Sequence, residues 1–219
     1  MLERYLQVCS VDEVGLEDPA ATRERLKDRF PRGATRRMTQ LGMLMGAALD
    51  DLGPREDDAV VFASAFAETR ALEGYLDSFP GASPTLFQTS IHPSAVQQAL
   101  ITRQLSVSEF FPLTGDAHLV AQAVQTALLS PAPRVLLCGG DERGTWMLER
   151  HAASDRTFVF ALALVTDPAG ALARLTLESV AEQTPAPAYT LPEFCDALRA
   201  RHAVDTIAAP GLRFKLSWN

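Results

Sequence analysis

Apolar residues along this chain fall into two kinds of pattern, and the two alternate. Short continuous runs suit strands buried on both faces: Ala59-Val60-Val61-Phe62-Ala63-Ser64-Ala65, Val135-Leu136-Leu137-Cys138, and residues 158–165. Between them lie helical periods. The clearest covers 35–52, where Met38, Leu41, Met45, Ala48, Leu49 and Leu52 recur at three- and four-residue spacing before Gly53-Pro54 stops the run. Residues 18–30 read as a helix with Asp18 as N-cap and Pro19 in the first position. Helices are also expected over 68–79 and over 95–104, the second capped by Ser94. Residues 116–129 are apolar nearly all round, which predicts a central, buried helix. Shorter apolar runs predict strands over 6–11 and 107–113, and alternation predicts a half-exposed one over 173–180. Pro80, Gly81, Pro84 and Pro93 mark 80–94 as a structured loop, and Gly139-Gly140 reads as a turn. Residues 184–189 look like a linker, and Thr190 caps a last helix over 192–201. The final 18 residues give no clear pattern.

Strands alternating with helices predict an α/β fold with a mainly parallel, mixed sheet flanked by helices. Residues 1–180 are expected to form one domain, and 181–219 a helical or irregular tail packed on it. No period of 20 to 50 residues repeats. The composition changes this picture little. With 47% hydrophobic and 21% charged residues in 219, the chain has ample apolar surface to fold and is not a disordered class. A net charge of −7 argues against general nucleic-acid binding. No apolar run approaches the ~20 residues of a membrane span. Met1-Leu2-Glu3-Arg4 opens no secretory signal pattern, and Cys9, Cys138 and Cys195 are odd in number and widely spaced, so a cytoplasmic location is expected. The charge is uneven. Residues 23–37 hold Arg23, Arg25, Lys27, Arg29, Arg32, Arg36 and Arg37 against Glu24 and Asp28, a stretch of +5 on a chain otherwise at −12. Such a patch steers acidic partners, although a solvated helix face explains it equally well.

Common enzyme signatures are missing. There is no GxSxG elbow, no GxxxxGK[ST] loop, no HExxH and no CxxC, so neither a metal nor another cofactor is expected. Cys138-Gly139-Gly140-Asp141-Glu142 lacks the third glycine of a dinucleotide site. His92, His118, His151 and His202 are scattered.

One order of features stands out. Arg36-Arg37-Met38-Thr39-Gln40-Leu41-Gly42 precedes a buried strand. Ser83-Pro84-Thr85-Leu86-Phe87-Gln88-Thr89-Ser90-Ile91-His92 precedes a helix. Then come a strand, the small turn Thr114-Gly115-Asp116, an apolar helix and Val135 to Glu142. Over roughly residues 5–180 this resembles the N-terminal half of the β-ketoacyl synthases, the thiolase-like fold. The likeness is strongest to the short stand-alone synthase-like proteins of aryl polyene and related polyketide pathways.

The resemblance implies a thiolase-like half-fold and a mechanism to compare. In true synthases a cysteine at the turn before the buried helix accepts the acyl group, activated by the helix N-terminus. The matching turn here is Thr114-Gly115-Asp116, with no cysteine. Two histidines from the second half of the fold stabilise the oxyanion, and this chain is about half the length of a full synthase. The resemblance therefore implies a non-catalytic subunit resembling a chain-length factor, paired with a ketosynthase or with its own copy. Phe110 and Phe111, with Phe87 and His92, would lie at a dimer interface. Arg32, Arg36 and Arg37 would dock an acidic acyl carrier protein. The alternative is a homodimer that binds an acyl thioester or hydrolyses it weakly through Thr114 or Asp116 with His118. A third option is a scaffold without chemistry.

Overall fold

A computed structural model describes residues 1–181 and 189–219. It shows an α/β protein in which a mixed sheet of eight strands is flanked by helices. The strands are β1 (Leu2–Gly15), β2 (Ala59–Ser64), β3 (Glu109–Thr114), β4 (Arg134–Asp141), β5 (Thr157–Val165), β6 (Ala173–Ser179), β7 (Val204–Ala209) and β8 (Leu212–Trp218). Their order across the sheet is β3-β2-β4-β5-β1-β6-β8-β7. The parallel part is smaller than the alternation implied. β2 runs parallel to β3 and to β4, and every other pairing is antiparallel. Crossover helices join only β2, β3 and β4. Elsewhere consecutive or distant strands meet head to tail, which no local pattern specifies.

Two cores explain the continuous apolar runs. Along β2, Ala59, Val61 and Ala63 enter one core while Val60 and Phe62 enter the other. Val135 and Leu137 alternate with Leu136 and Cys138 in the same way along β4, and Phe158, Phe160, Leu162 and Leu164 with Val159, Ala161 and Ala163 along β5. Side chains that alternate across a sheet covered on both faces must all be apolar.

One face is covered by α2 (Gln40–Leu52) and α5 (Ser94–Thr102), the other by α6 (Leu119–Leu129) and α7 (Leu191–Ala200). α2 is the most enclosed helix, buried everywhere but at Asp50 and Asp51. The sequence pointed to 116–129 for that role. α6 keeps some solvent contact, because its mixed Gln and Thr positions face outward. The period over 35–52 is not one helix: a short 3-10 turn at Ala34–Arg37 precedes Thr39, whose hydroxyl caps α2 by accepting from the Gly42 N–H at 2.9 Å. Asp18 caps α1 (Pro19–Leu26) as expected, accepting from Ala20 and Ala21. The loop expected over 80–94 contains a helix, α4 (Pro84–Ser90), started by the Ser83 cap and Pro84. It packs on α3 (Thr69–Asp77).

Gly139 and Gly140 make no turn. β4 runs straight through them to Asp141. A Cβ at Gly139 would stand 2.6 Å from the Ala63 carbonyl oxygen, and one at Gly140 2.3 Å from that of Phe158. The glycines are there for close strand approach, not for a bend. The linker expected over 184–189 lies, apart from Tyr189, outside the described residues. Beyond it the expected tail adds α7 and the β7–β8 hairpin to the same sheet, with α7 opened by a capping box between Thr190 and Glu193.

Candidate functional site

β2 and β4 lie side by side in parallel and end together, and a cluster of buried polar groups, among them Ser64, Glu68, Glu73, Asp141 and Glu142, gathers at their C-terminal ends. Ser64 closes β2. Its hydroxyl lies 2.7 Å from both the Asp141 carboxylate and the Gly140 carbonyl oxygen. The N–H groups of Phe66 and Ala67 donate to the same Asp141 oxygen at 2.7 and 3.1 Å. Burial raises the Asp141 pKa, and these donors counter part of the rise. Glu142 accepts from the Arg70 N–H at 3.0 Å, and desolvation pushes it up to about 7. Glu73 on α3 accepts from the N–H and hydroxyl of Thr145 and the N–H of Met147, at 2.7 to 2.9 Å, which fastens the loop after β4 onto α3.

Glu68 differs from these. It is 1% exposed, and neither carboxyl oxygen has a hydrogen-bond partner among the described residues. Desolvation pushes it up to about 8. The N–H groups of Glu68 and Ala95 lie near enough to oppose this slightly without reaching bonding geometry. The sequence reading missed this carboxyl group. Its only signal was an acid four residues after the end of a buried strand.

Strand alternation sends Asp141 and Glu142 to opposite sides of the sheet. Asp141 borders a cavity of about 250 Å³ that also touches Phe66, Asp116, Leu119, Asp155 and Thr190. Glu142 borders one of about 290 Å³ that touches Arg36, Arg37, Thr39, Arg70 and Leu86.

The turn Thr114-Gly115-Asp116, which the resemblance matches to a synthase nucleophile, meets the first cavity through Asp116. Thr114 ends β3, and Thr114, Gly115, Asp116 and His118 are all exposed. His118 stands at the N-cap of α6, where its carbonyl accepts from the Gln122 N–H at 3.0 Å but its side chain makes no capping bond, and the Leu119 N–H donates to the Asp116 carbonyl at 3.1 Å. Among the described residues no hydrogen bond joins Thr114, Asp116 and His118. A threonine hydroxyl without a base in reach is a poor nucleophile. The thiols offer no substitute: burial pushes Cys9 up to about 11 and Cys195 up to about 12, and also raises Cys138, whose thiol donates to the Val61 carbonyl at 3.4 Å. Among the described residues no group of His, Cys, Asp and Glu could hold a metal ion, and no helix is long and apolar enough to cross a membrane.

β3 is an outermost strand of the sheet. Phe110 packs against the α2 core and Phe111 against the α6 core, each half-buried. Phe87 on α4 is 49% exposed and meets Tyr75, which also meets the exposed Phe79, with ring centroids 5.3 Å apart in both pairs. His92 is not free surface: its ring stacks on Phe62 at 5.1 Å, and desolvation lowers its pKa.

The basic stretch resolves into two sets. Arg25 pairs with Asp12 and Glu17, Lys27 with Glu24, and Arg29 with Asp50 and Asp51. Arg23 donates to the Thr35 carbonyl. Arg32, Arg36 and Arg37 are exposed and make no ion pair among the described residues.

No protein-family model and no curated protein matches the sequence. Solved structures do. A chain in the complex of the ketosynthase ApeO with its chain length factor ApeC, from Xenorhabdus doucetiae, matches at a TM-score of 0.68 and 16% identity, over 99% of this chain and all of that one. The ishigamide ketosynthase/chain length factor matches at 0.61 and 12%, over 83% of this chain and 68% of that one. A β-ketoacyl synthase from Burkholderia phymatum matches at 0.53 and 15%, over 85% and 67%. The fold is therefore the thiolase-like fold of ketosynthases and chain length factors.

Proposed function

We propose that this chain is a non-catalytic, ketosynthase-like subunit of the chain-length-factor kind. It pairs with an active ketosynthase, helps to shape the space for the growing acyl chain and offers acyl carrier protein a docking face in polyketide or aryl polyene biosynthesis. The observation that carries this reading is the end-to-end match, on both chains, to a chain of a ketosynthase–chain length factor complex. It is joined by the absence of a cysteine from Thr114-Gly115-Asp116, the turn that the resemblance matches to a synthase nucleophile, and by three thiols whose pKa burial raises.

The surface suits such pairing. β3 ends the sheet with an open edge, and strand addition there satisfies backbone groups that otherwise face water. Exposed Phe79 and Phe87 beside Tyr75 form an aromatic patch of the kind that anchors interfaces. Arg32, Arg36 and Arg37, exposed and without an ion pair among the described residues, suit the carboxylates of a carrier protein.

The test is co-expression with a ketosynthase that carries its own nucleophile. A stable complex is expected, in which condensation depends on the partner's cysteine and is unchanged by Thr114→Ala. A chain that stays apart from every candidate ketosynthase, while the ketosynthase makes full-length product alone, overturns the reading.

A further inference from the structure

Glu68 and α5 meet where each lacks a hydrogen-bond partner. Glu68 stands at the N-cap of α3, yet its buried carboxyl group caps nothing there and lies beside the Ala95 N–H at the start of α5. The nine-residue α5 has no side-chain cap of its own. Its N-cap position is Pro93, and the Ser94 hydroxyl accepts from the Gln98 amide at 2.6 Å instead. The Ser94 N–H donates to the Ile91 carbonyl at 2.7 Å and the Gln97 N–H to that of Pro93 at 3.3 Å. Between them, the N–H groups of Ala95 and Val96 have no acceptor among the described residues, and both residues are buried, out of reach of bulk water. An orphaned acid therefore stands beside orphaned donors.

A neutral carboxyl group is a weak acceptor. A carboxylate at a helix start makes charge-assisted bonds and meets the positive end of the helix. Burial pushes the Glu68 pKa up to about 8, so the neutral form prevails at lower pH. The charged neighbours offer an ionised Glu68 nothing else. Asp141 and Glu142 of β4 are acids and oppose its charge. On α3 itself, Arg70 Nε donates to the Arg143 carbonyl at 3.3 Å, and Glu73 is held by Thr145 and Met147. α4 and α5 carry no ionisable side chain, and α2 has only Asp50 and Asp51, at its far end. His92, on the corner before α5, has its pKa lowered by burial and is neutral in the same range. The N–H groups of α5 are thus the partners nearest to hand.

We propose that Glu68 and the first turn of α5 form a proton-operated clasp: the protonated side chain leaves Ala95 and Val96 uncapped, and the ionised one caps them and draws the start of α5 onto β2. Closing requires the carboxylate and the N–H groups to approach to about 2.9 Å. Only residues 91–93 separate α4 from α5, and the two helices touch, so the clasp acts on the position of α4 and of Phe87 upon it. Phe87 belongs to the aromatic patch assigned above to pairing. The clasp itself needs no partner, so the two readings fail separately.

The experiment is nuclear magnetic resonance of the whole chain from pH 6 to 9.5, following the Glu68 carboxyl carbon, the Ala95 and Val96 methyl groups and the Phe87 ring. One shared transition is expected for the carboxyl carbon and the methyl groups, with a midpoint at or below about 8, because capping favours the charged form. In Glu68→Gln the methyl shifts should be flat across the range, since the amide has no charge to gain. A Phe87 ring that moves with the same midpoint supports the clasp and extends it to the aromatic patch. A still ring supports it and ends its reach at residues 91–93. Methyl groups that ignore the carboxyl transition overturn the proposal, and so does a carboxyl carbon with no transition in this range. A methyl transition that survives in Glu68→Gln also overturns it, because it then belongs to Asp141, Glu142 or His92. If Glu68→Gln does not fold, the agreement of midpoints in the unaltered chain decides alone.

Discussion

Glu68 is a carboxyl group buried without a hydrogen bond from any of the described residues. Most buried polar groups in the protein are answered: Asp141 by Ser64 and two N–H groups, Glu73 by Thr145 and Met147. Glu68 has only desolvation acting strongly on it, and its pKa rises to about 8 from an ordinary value near 4.5. The sign of the consequence follows from proton counting. Between those two values the folded chain keeps a proton that the unfolded chain has lost, so stability is greatest below pH 4.5 as far as this group is concerned and falls as pH rises towards 8. Glu142, raised to about 7, acts in the same direction over a narrower window. Each unit is worth about 1.4 kcal/mol, so the fall owed to Glu68 is a few kcal/mol. Glu68→Gln keeps the shape and removes the charge. Urea unfolding at pH 5, 6.5 and 8 should show a wild-type midpoint that declines with pH and a variant whose decline is clearly shallower, with the variant the more stable by ~2 kcal/mol or more at pH 8. Parallel curves would mean that Glu68 titrates normally and lies closer to water than the structure places it.

At the level of the elements, β4 shows what a sequence can and cannot tell. The apolar run Val135 to Cys138 announces a buried strand, and it is one. Gly139-Gly140 then suggests a turn, because glycine most often marks one in an isolated sequence. The need for these glycines comes instead from Ala63, Phe158 and Phe160, residues distant in the chain, whose atoms occupy the space a Cβ would fill. Tertiary crowding of this sort leaves no local trace. The same limit hid the antiparallel pairings of β1 with β5 and β6. The final hairpin is a different case. Leu212, Phe214, Leu216 and Trp218 alternate with Arg213, Lys215 and Ser217, a strand signal that was present and unread. The exposure of Arg36 and Arg37 was legible from the charge pattern, whereas the isolation of the Glu68 carboxyl was not, because its burial depends on residues such as Ala95 that only folding brings against it. Gly140→Ala tests the crowding argument. Its Cβ would meet a backbone oxygen at 2.3 Å, which no side-chain rotation relieves. The expected cost is about 3 kcal/mol or more, read as a fall of roughly 6 to 12 °C in the melting midpoint of a domain this size. A midpoint within about 2 °C of wild type would show that β4 and β5 can part without loss.

For the whole molecule the issue is which surface binds what. The aromatic patch and the three arginines without an ion pair among the described residues are distinct in chemistry, so they answer differently to salt. Phe79 and Phe87 are exposed, and their replacement by serine removes little internal packing. Isolated stability should change by only a few tenths of a kcal/mol per site. The proposed pairing with a ketosynthase through this patch would be apolar in character and should persist in high salt. The proposed carrier docking through Arg32, Arg36 and Arg37 would rely on charges near the surface, where screening at 1 M salt reaches within ~3 Å. The Phe79→Ser with Phe87→Ser variant is therefore expected to lose about tenfold or more in affinity for the ketosynthase at every salt concentration, with carrier binding by the isolated chain untouched. Replacing the three arginines by alanine should do the reverse: the ketosynthase complex survives, while carrier binding weakens at low salt and its salt dependence flattens. Surface plasmon resonance of both variants at two ionic strengths separates these effects. If the aromatic variant pairs normally, the ketosynthase lies on the open edge of β3 without reaching α3 and α4. If both variants lose both partners, the two surfaces are one, and the carrier meets the complex across the seam between its subunits.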